Sequence, residues 1–176
     1  MTPSASFIVL TIIGDDRPGL VGELAAAISA NQGNWLESSM AHLAGKFAGI
    51  VKVGIAPQHA EKLQQALAQL NGLKITGELA QADARTTARR LKLSLVGHDR
   101  IGIVREVSKV LAEHAVNVEN LETYTSSAPM SAETLFHANA ELTAAANLDA
   151  RALTSELERI SNDLMVDITL DETIRS

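Results

Sequence analysis

The apolar positions of this chain follow two spacings, one typical of strands and the other of helices. Residues 7–13 are nearly all apolar and residues 91–96 alternate between apolar and polar, so each segment predicts a strand. Apolar residues three and four positions apart then predict a helix from residue 18 to about 31, and a counterpart that begins near Ile103. Gly33 is expected to end the first helix.

Each half continues with a strand pair, a helix and a last strand. The strand pairs are expected at 34–43 with 46–56, around a turn at 44–45, and at 116–125 with 132–143, around a longer loop. Leucine or isoleucine at helical spacing predicts the second helices: Leu63, Leu67, Leu70, and Leu153, Leu157, Ile160. The last strands are expected at 73–79 and 164–170. The order β-α-β-β-α-β, repeated, predicts an α+β fold of two ferredoxin-like domains, each with two helices on one face of a four-stranded antiparallel sheet.

The two halves are copies of one ancestral sequence. Residues 14–19 (GDDRPG) and 97–102 (GHDRIG) share four of six residues, and the same spacing pairs Glu23 with Glu106 and Asn34 with Asn117. We therefore predict two domains, residues 1–80 and 89–176, joined by a linker at 81–88. Two copies of this length are too few and too long for a solenoid.

Composition narrows the class of protein. The chain has 176 residues, 46% of them apolar, and no cysteine, which excludes thiol catalysis, disulfides and thiolate metal sites. Its first residues lack the features of a secretory signal, and no apolar run approaches the roughly 20 residues that span a bilayer. We expect a soluble, cytoplasmic protein without a membrane partner.

The net charge of −6 argues against direct binding of nucleic acid, because neutralisation of phosphates dominates that affinity. A local basic cluster is the exception. It is either a solvated linker and strand edge or a docking patch for an acidic partner. Its members are Arg85, Arg89, Arg90, Lys92, Arg100 and Arg105.

The loop that follows the first strand has two interpretations. As a turn, Asp16 caps the helix, Pro18 starts it and Gly19 packs closely. As a ligand site, its backbone N–H groups and the helix dipole hold a small anion, while Asn34 offers a donor and an acceptor. The second copy keeps Gly, Asp, Arg, Gly and the later Asn but has Ile101 in place of Pro18. Helix initiation by proline is therefore not what both copies retain, and this favours a ligand role in at least one of them.

The motif of residues 14–21 (GDDRPGLV), with an asparagine opening the next strand, resembles the ACT domain. Residues 97–104 (GHDRIGIV) match with Ile101 in place of proline. The resemblance implies that an amino acid binds at an interface between two such domains, through this loop and the start of the second strand. The residues that it assigns to ligand binding are Asp16, Arg17, Pro18, Gly19, Leu20, Asn34 and Trp35, and His98, Asp99, Arg100, Ile101, Gly102, Ile103, Asn117 and Val118.

Tandem ACT domains without a catalytic domain resemble the glycine cleavage system transcriptional repressor family. That resemblance implies a non-catalytic sensor of a small amino acid, possibly glycine, that acts through a DNA-binding activator and not by binding DNA itself. Two alternatives stay open: an amino-acid-binding regulatory subunit of a metabolic enzyme, and a ligand-free oligomerisation module. Exposed sheet edges make a homodimer reasonable.

The other groups of candidate residues do not form a recognisable metal or catalytic site. Asp15 and Asp16 are adjacent and point apart, and no other ligand has metal-site spacing, so no metal or cofactor is expected. No phosphate-binding or nucleophile motif is present, and Ser38 and Ser39 with His42 do not converge on a strand. An enzyme that uses His98 and Asp99 is the remaining catalytic alternative.

Overall fold

The computed structural model describes residues 6–82 and 88–173. The chain divides into two compact units, Met1–Ala84 (the first unit) and Arg85–Ser176 (the second unit). Most of the linker predicted at 81–88 lies outside the described residues. No helix within the described ranges is long and apolar enough to cross a membrane.

The first unit has the predicted order of elements. They are β1 Phe7–Asp15, α1 Leu20–Ala30, β2 Asn34–Leu43, β3 Lys46–Gly54, α2 Pro57–Ala68 and β4 Leu73–Ala80. The strands form one sheet in the order β2-β3-β1-β4, and every neighbouring pair is antiparallel.

The second unit repeats this order. Its elements are β5 Arg89–His98, α3 Ile103–Glu113, β6 Asn117–Ser127, β7 Thr134–Ala144, α4 Ala150–Leu164 and β8 Val166–Thr173. The sheet order is β6-β7-β5-β8, again antiparallel throughout. The predicted fold class, two ferredoxin-like units with α+β architecture, is confirmed.

Each unit has its own core between the helices and one face of its sheet. In the first unit, Ile8, Leu10 and Ile12 alternate along β1 and are buried, because alternate side chains of a strand point to the same face. They pack with apolar residues of α1 and α2. Leu91, Leu93 and Leu95 of β5 do the same in the second unit.

The first helix begins later than predicted. It starts at Leu20 because Gly19 adopts a left-handed conformation, φ 91°, at the N-cap position. Pro18 therefore precedes the helix and does not lie in its first turn. Asp16 does not cap it either, because no side chain bonds to the helix start and the Asp16 carboxylate contacts His42 instead.

The end of α1 also differs from the prediction. Gln32, not Gly33, takes the left-handed conformation, with φ 64°. The Gly33 N–H donates to the Ile28 carbonyl at 2.9 Å and Gln32 N–H to that of Ser29 at 3.2 Å, a Schellman arrangement. Gly33 serves close packing, since a Cβ there would lie 2.8 Å from an Ile28 methyl and 2.9 Å from a Val53 methyl.

The end of α4 and the starts of two edge strands also differ from the regular pattern that the sequence predicts. Leu164, predicted as the start of a strand, ends α4, and Met165 reverses the chain with φ 55° before β8 begins. Two of the four edge strands, β2 and β6, each carry a register shift near their start, between Trp35 and Glu37 and between Val118 and Asn120.

Candidate functional site

The loop between β1 and α1, residues 16–19, is anchored to the turns beside it. Asp16 N–H donates to the Gly45 carbonyl of the β2–β3 turn at 3.0 Å. A Cβ at Gly14 would lie 2.4 Å from the Gly72 carbonyl oxygen, so glycine lets β1 end directly against the α2–β4 turn. The loop therefore has a fixed backbone position at the start of α1.

The arginine of this first loop is already paired. The Arg17 guanidinium donates two hydrogen bonds to the Glu23 carboxylate, at 2.7 and 2.8 Å, and one to the Asn71 carbonyl at 3.4 Å. The bonds between Arg17 and Glu23 lower the pKa of Glu23 and raise that of Arg17. Arg17 thus fastens the loop to the first turn of α1, and its charge is largely compensated within the unit.

The acidic residues Asp15, at the end of β1, and Asp16, in the loop, are paired as well. The Asp15 carboxylate accepts a hydrogen bond from the Lys46 ammonium, which lowers the pKa of Asp15. The Asp16 carboxylate contacts His42 Nδ1 on β2. Asp15 at the end of β1 and the two charged side chains of the loop, Asp16 and Arg17, therefore have partners on neighbouring elements.

The start of α1 offers backbone donors. Gly19 supplies no side-chain cap, and the first backbone bond of the helix runs from Glu23 N–H to the Gly19 carbonyl at 2.9 Å. The N–H groups of residues 20–22 consequently lack a helical acceptor. The space beside Gly19 is open, because a Cβ there would meet only the Glu23 carboxylate, at 4.0 Å. Such a position suits an anion.

The second unit repeats the backbone of this loop. Asp99 N–H donates to the Thr134 carbonyl at 2.9 Å, Gly102 at the N-cap has φ 98°, and Glu106 N–H donates to the Gly102 carbonyl at 3.0 Å. No side chain caps α3. Both predicted loops therefore present the same uncapped helix start.

The side chains of the second loop are arranged differently. Glu106 pairs with Arg105, at 2.8 Å, and not with Arg100. Within the described residues, Asp99 and Arg100 have no hydrogen-bonded or ionic side-chain partner, and Ile101 is fully exposed. His98 Nδ1 lies 3.2 Å from the Glu133 carboxylate. This loop leaves one acidic and one basic side chain available, whereas the first loop leaves none.

The two asparagines lie away from the loops of their own units. Asn34 pairs with Gly54, which pairs with Phe7, so Asn34 lies level with the start of β1. The loop follows the other end of β1, about eight residues and roughly 26 Å along the strand. Asn117 has the equivalent position, and its amide donates to the Glu119 carboxylate at 3.0 Å. The structure therefore brings together residues 16–20, and residues 98–103, but not the asparagine of the same unit.

The residues after the asparagines differ between the units. Trp35 is partly buried and packs against the core of the first unit. Val118 is 38% exposed and borders an apolar pocket between α3 and β6. Sequence reasoning missed this pocket, although the change from Trp35 to Val118 was its signal. Among the described residues, no group of three or more potential His, Cys, Asp or Glu ligands could hold a metal ion.

Comparisons with known proteins agree with this fold. The family model for the ACT domain matches residues 6–76. A protein of unknown function from Galdieria sulphuraria has a solved structure with a TM-score of 0.86 and 32% identity, covering 97% of this chain and 99% of that one. The structure of a candidate glycine cleavage system transcriptional repressor gives a TM-score of 0.69 at 18% identity, with coverage of 97% and 99%. A search of curated proteins gives no significant match.

The matched segment and the repeated fold lead to one assignment. The family model covers the first unit from β1 into β4, and the second unit has the same elements in the same sheet order. ACT domains are regulatory and not catalytic. The chain belongs to the ACT-domain family and carries two such regulatory domains in tandem.

Proposed function

We propose that this chain is a non-catalytic, amino-acid-sensing regulator that controls transcription of glycine cleavage genes through contact with a DNA-binding activator. Three observations support the proposal. The described residues form two ACT units and no further domain. The whole chain shares its fold with the candidate repressor of the glycine cleavage system. The net charge of −6 favours contact with a protein over contact with DNA.

The observation that carries the sensing role is the uncapped start of α1 and of α3 behind a left-handed glycine. The free N–H groups there donate hydrogen bonds to the carboxylate of an amino acid, as helix starts do to other anions. The ammonium group needs an acceptor, which an Asn amide oxygen or an Asp carboxylate supplies.

The second loop is the stronger of the two binding loops. Arg100 has no ionic partner among the described residues, so its guanidinium is free to form a charge-assisted bond with a ligand carboxylate. Asp99 is equally free to accept from an ammonium. In the first loop the equivalent Arg17 would first have to leave Glu23, and this competition weakens binding.

The asparagines complete the site from a second molecule. Asn117 lies at the opposite end of its sheet from the Arg100 loop, so one unit cannot supply both to one ligand. A twofold axis between two copies brings unlike ends together and creates two equal sites. We therefore expect a homodimer in which the loop of one molecule faces the asparagine of its partner.

Weak affinity is expected for a ligand of this size. Glycine has five heavy atoms, and at a ceiling of about 1.5 kcal/mol per atom its binding free energy reaches at most roughly −7.5 kcal/mol. The dissociation constant is then micromolar at the tightest, and high micromolar to millimolar values are expected. That range suits a sensor of metabolite concentration.

Thermal unfolding of the full chain with each of the twenty amino acids at millimolar concentration tests the sensing role. A ligand of the native state raises Tm by linkage. We expect a rise for a small amino acid that disappears in Arg100→Ala and persists in Arg151→Ala, an exposed arginine on α4 that serves as the control. No rise, together with no heat of binding by calorimetry, would refute sensing.

Recovery of partners from a lysate, with and without the amino acid that binds, tests the output. A DNA-binding activator whose recovery changes with the amino acid is the expected result. Recovery of a metabolic enzyme instead would assign the chain as a regulatory subunit of that enzyme.

A further inference from the structure

One face of the first unit's sheet carries no helix. The buried residues of β1 alternate and point toward α1 and α2, so Val9, Thr11 and Ile13 point to the opposite face. Ile50 lies opposite Thr11 and Ala48 lies opposite Ile13, which places both β3 residues on that same face. These five residues form the centre of a surface that we call the open face.

The open face is apolar in the first unit and polar in the second. Asn139 of β7 occupies the position that Ile50 has on β3, and Lys92 of β5 occupies the position that Val9 has on β1. An antiparallel sheet with one solvated face ordinarily carries polar residues there, as the second unit does. Ile50 nevertheless remains 53% exposed within the described chain. An apolar patch on one unit and not on its copy indicates a surface that another molecule covers.

The charged residues at the two ends of the open face are paired. At one end the Asp15 carboxylate accepts a hydrogen bond from Lys46. At the other end the Lys52 ammonium lies 3.0 Å from the Glu37 carboxylate and 4.6 Å from the centre of the Phe7 ring. An apolar centre with a polar rim is the anatomy of a protein interface.

Two further charges of the open face are unpaired, and they have opposite signs. Lys74 and Glu78 lie on β4 on either side of Thr76, so they project from the same face about 13 Å apart. Neither has an ionic partner among the described residues. The β4 edge of the open face is therefore positive toward one strand end and negative toward the other.

This charge pattern is complementary to itself. A twofold axis that runs across the strands, level with Thr76, turns a second copy so that unlike strand ends meet. Lys74 of each copy then faces Glu78 of the other, which gives two opposite-charge contacts. An axis along the strands would instead bring like ends together and place Glu78 over Glu37 of the second copy. Electrostatics therefore favours the axis across the strands.

The size of the open face fits a reversible dimer. Its four strands have eight to ten residues each, and a sheet of that width and length covers roughly 500 Å². Two such faces bury about 1,000 Å² in total, which is near the lower limit for a specific interface. We therefore expect an equilibrium between monomer and dimer that depends on protein concentration.

We propose that this chain dimerises by packing the open face of its first unit against the same face of a second copy, about a twofold axis across the strands. A second copy is favoured over other occupants because the face matches itself in charge and in its apolar centre. The inference goes beyond the proposed function, since this dimer requires neither an amino acid nor a DNA-binding activator.

Sedimentation equilibrium of the full chain tests the inference. Ile50 lies level with the axis, so Ile50→Lys places two like charges opposite each other, and dimerisation should weaken on the order of 100-fold. Asn139→Lys is the matched control at the equivalent position of the second unit and should leave the dimer unchanged. Both side chains are exposed, so circular dichroism should show an intact fold in each variant.

Exchange of the two β4 charges tests the orientation without changing the apolar centre. Lys74→Glu or Glu78→Lys alone should weaken dimerisation roughly tenfold at low salt, because each variant creates two like-charge contacts. The double variant should restore the dimer, because it exchanges the signs of both contacts.

Three outcomes would overturn the inference. A chain that is monomeric at every concentration has no such interface, and a Tm lowered by Ile50→Lys in that monomer would show that the face is covered within the chain. A dimer that persists in Ile50→Lys uses another surface. A double charge variant that stays as weak as the single ones excludes the proposed axis. None of these measurements includes an amino acid, so the sensing role is tested separately.

Discussion

Gly19 and Gly102 adopt the same left-handed conformation at the starts of α1 and α3, with φ of 91° and 98°. The residue before each differs, Pro18 in one unit and Ile101 in the other. The conformation therefore belongs to the glycine and not to the residue that precedes it. Neither helix start has a side-chain cap hydrogen bond.

Replacing either glycine by alanine should destabilise its unit. A left-handed conformation costs an alanine about 1–2 kcal/mol, while neither position lacks space for a methyl group. For a unit of this size we expect Tm to fall by about 5 °C or more. Gly22→Ala in α1 is the control, because its Cβ meets no atom within 4 Å and helix propensity improves by about 0.5–1 kcal/mol. Equal Tm changes in Gly19→Ala and Gly22→Ala would contradict this account.

Replacing Gly33 by valine, the residue at the equivalent position of the second unit, tests how closely Gly33 is packed. The second unit has Val116 at the equivalent position, whose N–H donates to the Leu111 carbonyl at 2.9 Å. Gly33→Val should nevertheless destabilise the first unit by about 1–3 kcal/mol, because Ile28 and Val53 occupy the space of the new side chain. Denaturant unfolding measures the change. A neutral substitution would mean that α1 shifts freely relative to β3.

Acid should weaken the second unit through the pair formed by Arg89 and Glu172. Arg89 Nε lies 2.8 Å from the Glu172 carboxylate, and this hydrogen bond lowers the pKa of Glu172 below its ordinary 4.5. The unfolded chain then takes up the proton more readily than the folded one. The stabilisation is complete above pH 4.5 and is lost as the pH falls through the lower, folded value.

Unfolding midpoints between pH 6 and pH 3 test this pair. The wild type should have a higher unfolding midpoint than Glu172→Gln at pH 6, and this difference should disappear as the pH drops below about 4.5. A constant difference between the two proteins over that range would show that the ion pair does not contribute.

Mixing two inactive variants should restore amino-acid binding if two molecules share each site. Arg100→Ala lacks the loop side chain and Asn117→Ala lacks the strand side chain. A mixed dimer then contains one site with both residues intact, because twofold symmetry pairs unlike ends. Random mixing should recover about a quarter of the sites. Calorimetry of the mixture measures this, and no recovery would show that one molecule forms the whole site.

The repeated βαββαβ order could be predicted because apolar spacing follows directly from burial on one face. Leu91, Leu93 and Leu95 alternate along β5 as the pattern required, and all three are buried. The helix starts could not be placed so well. Pro18 is a favourable first residue, but a left-handed Gly19 after it delays the helix to Leu20.

The candidate site was harder to predict than the fold, since it depends on which ends of the strands meet. The motif gives Arg17 and Arg100 the same role, yet Arg17 pairs with Glu23 while Arg105 takes the equivalent Glu106. Local spacing does not determine which of two arginines reaches a carboxylate. The α3–β6 pocket likewise depends on the sizes of side chains that sheet register brings together.

The register shifts at the starts of β2 and β6 limit how these edges can grow. Leu36 and Glu119 each interrupt the regular pairing of their strand two residues after it begins. A bulge twists an edge strand and breaks the row of groups that another strand would need. An added strand could pair regularly only with residues 37–43 or 120–127, beyond the bulge. The interruption thus disfavours continuous edge-to-edge pairing along β2 and β6 while leaving a short regular segment of each strand for a specific partner.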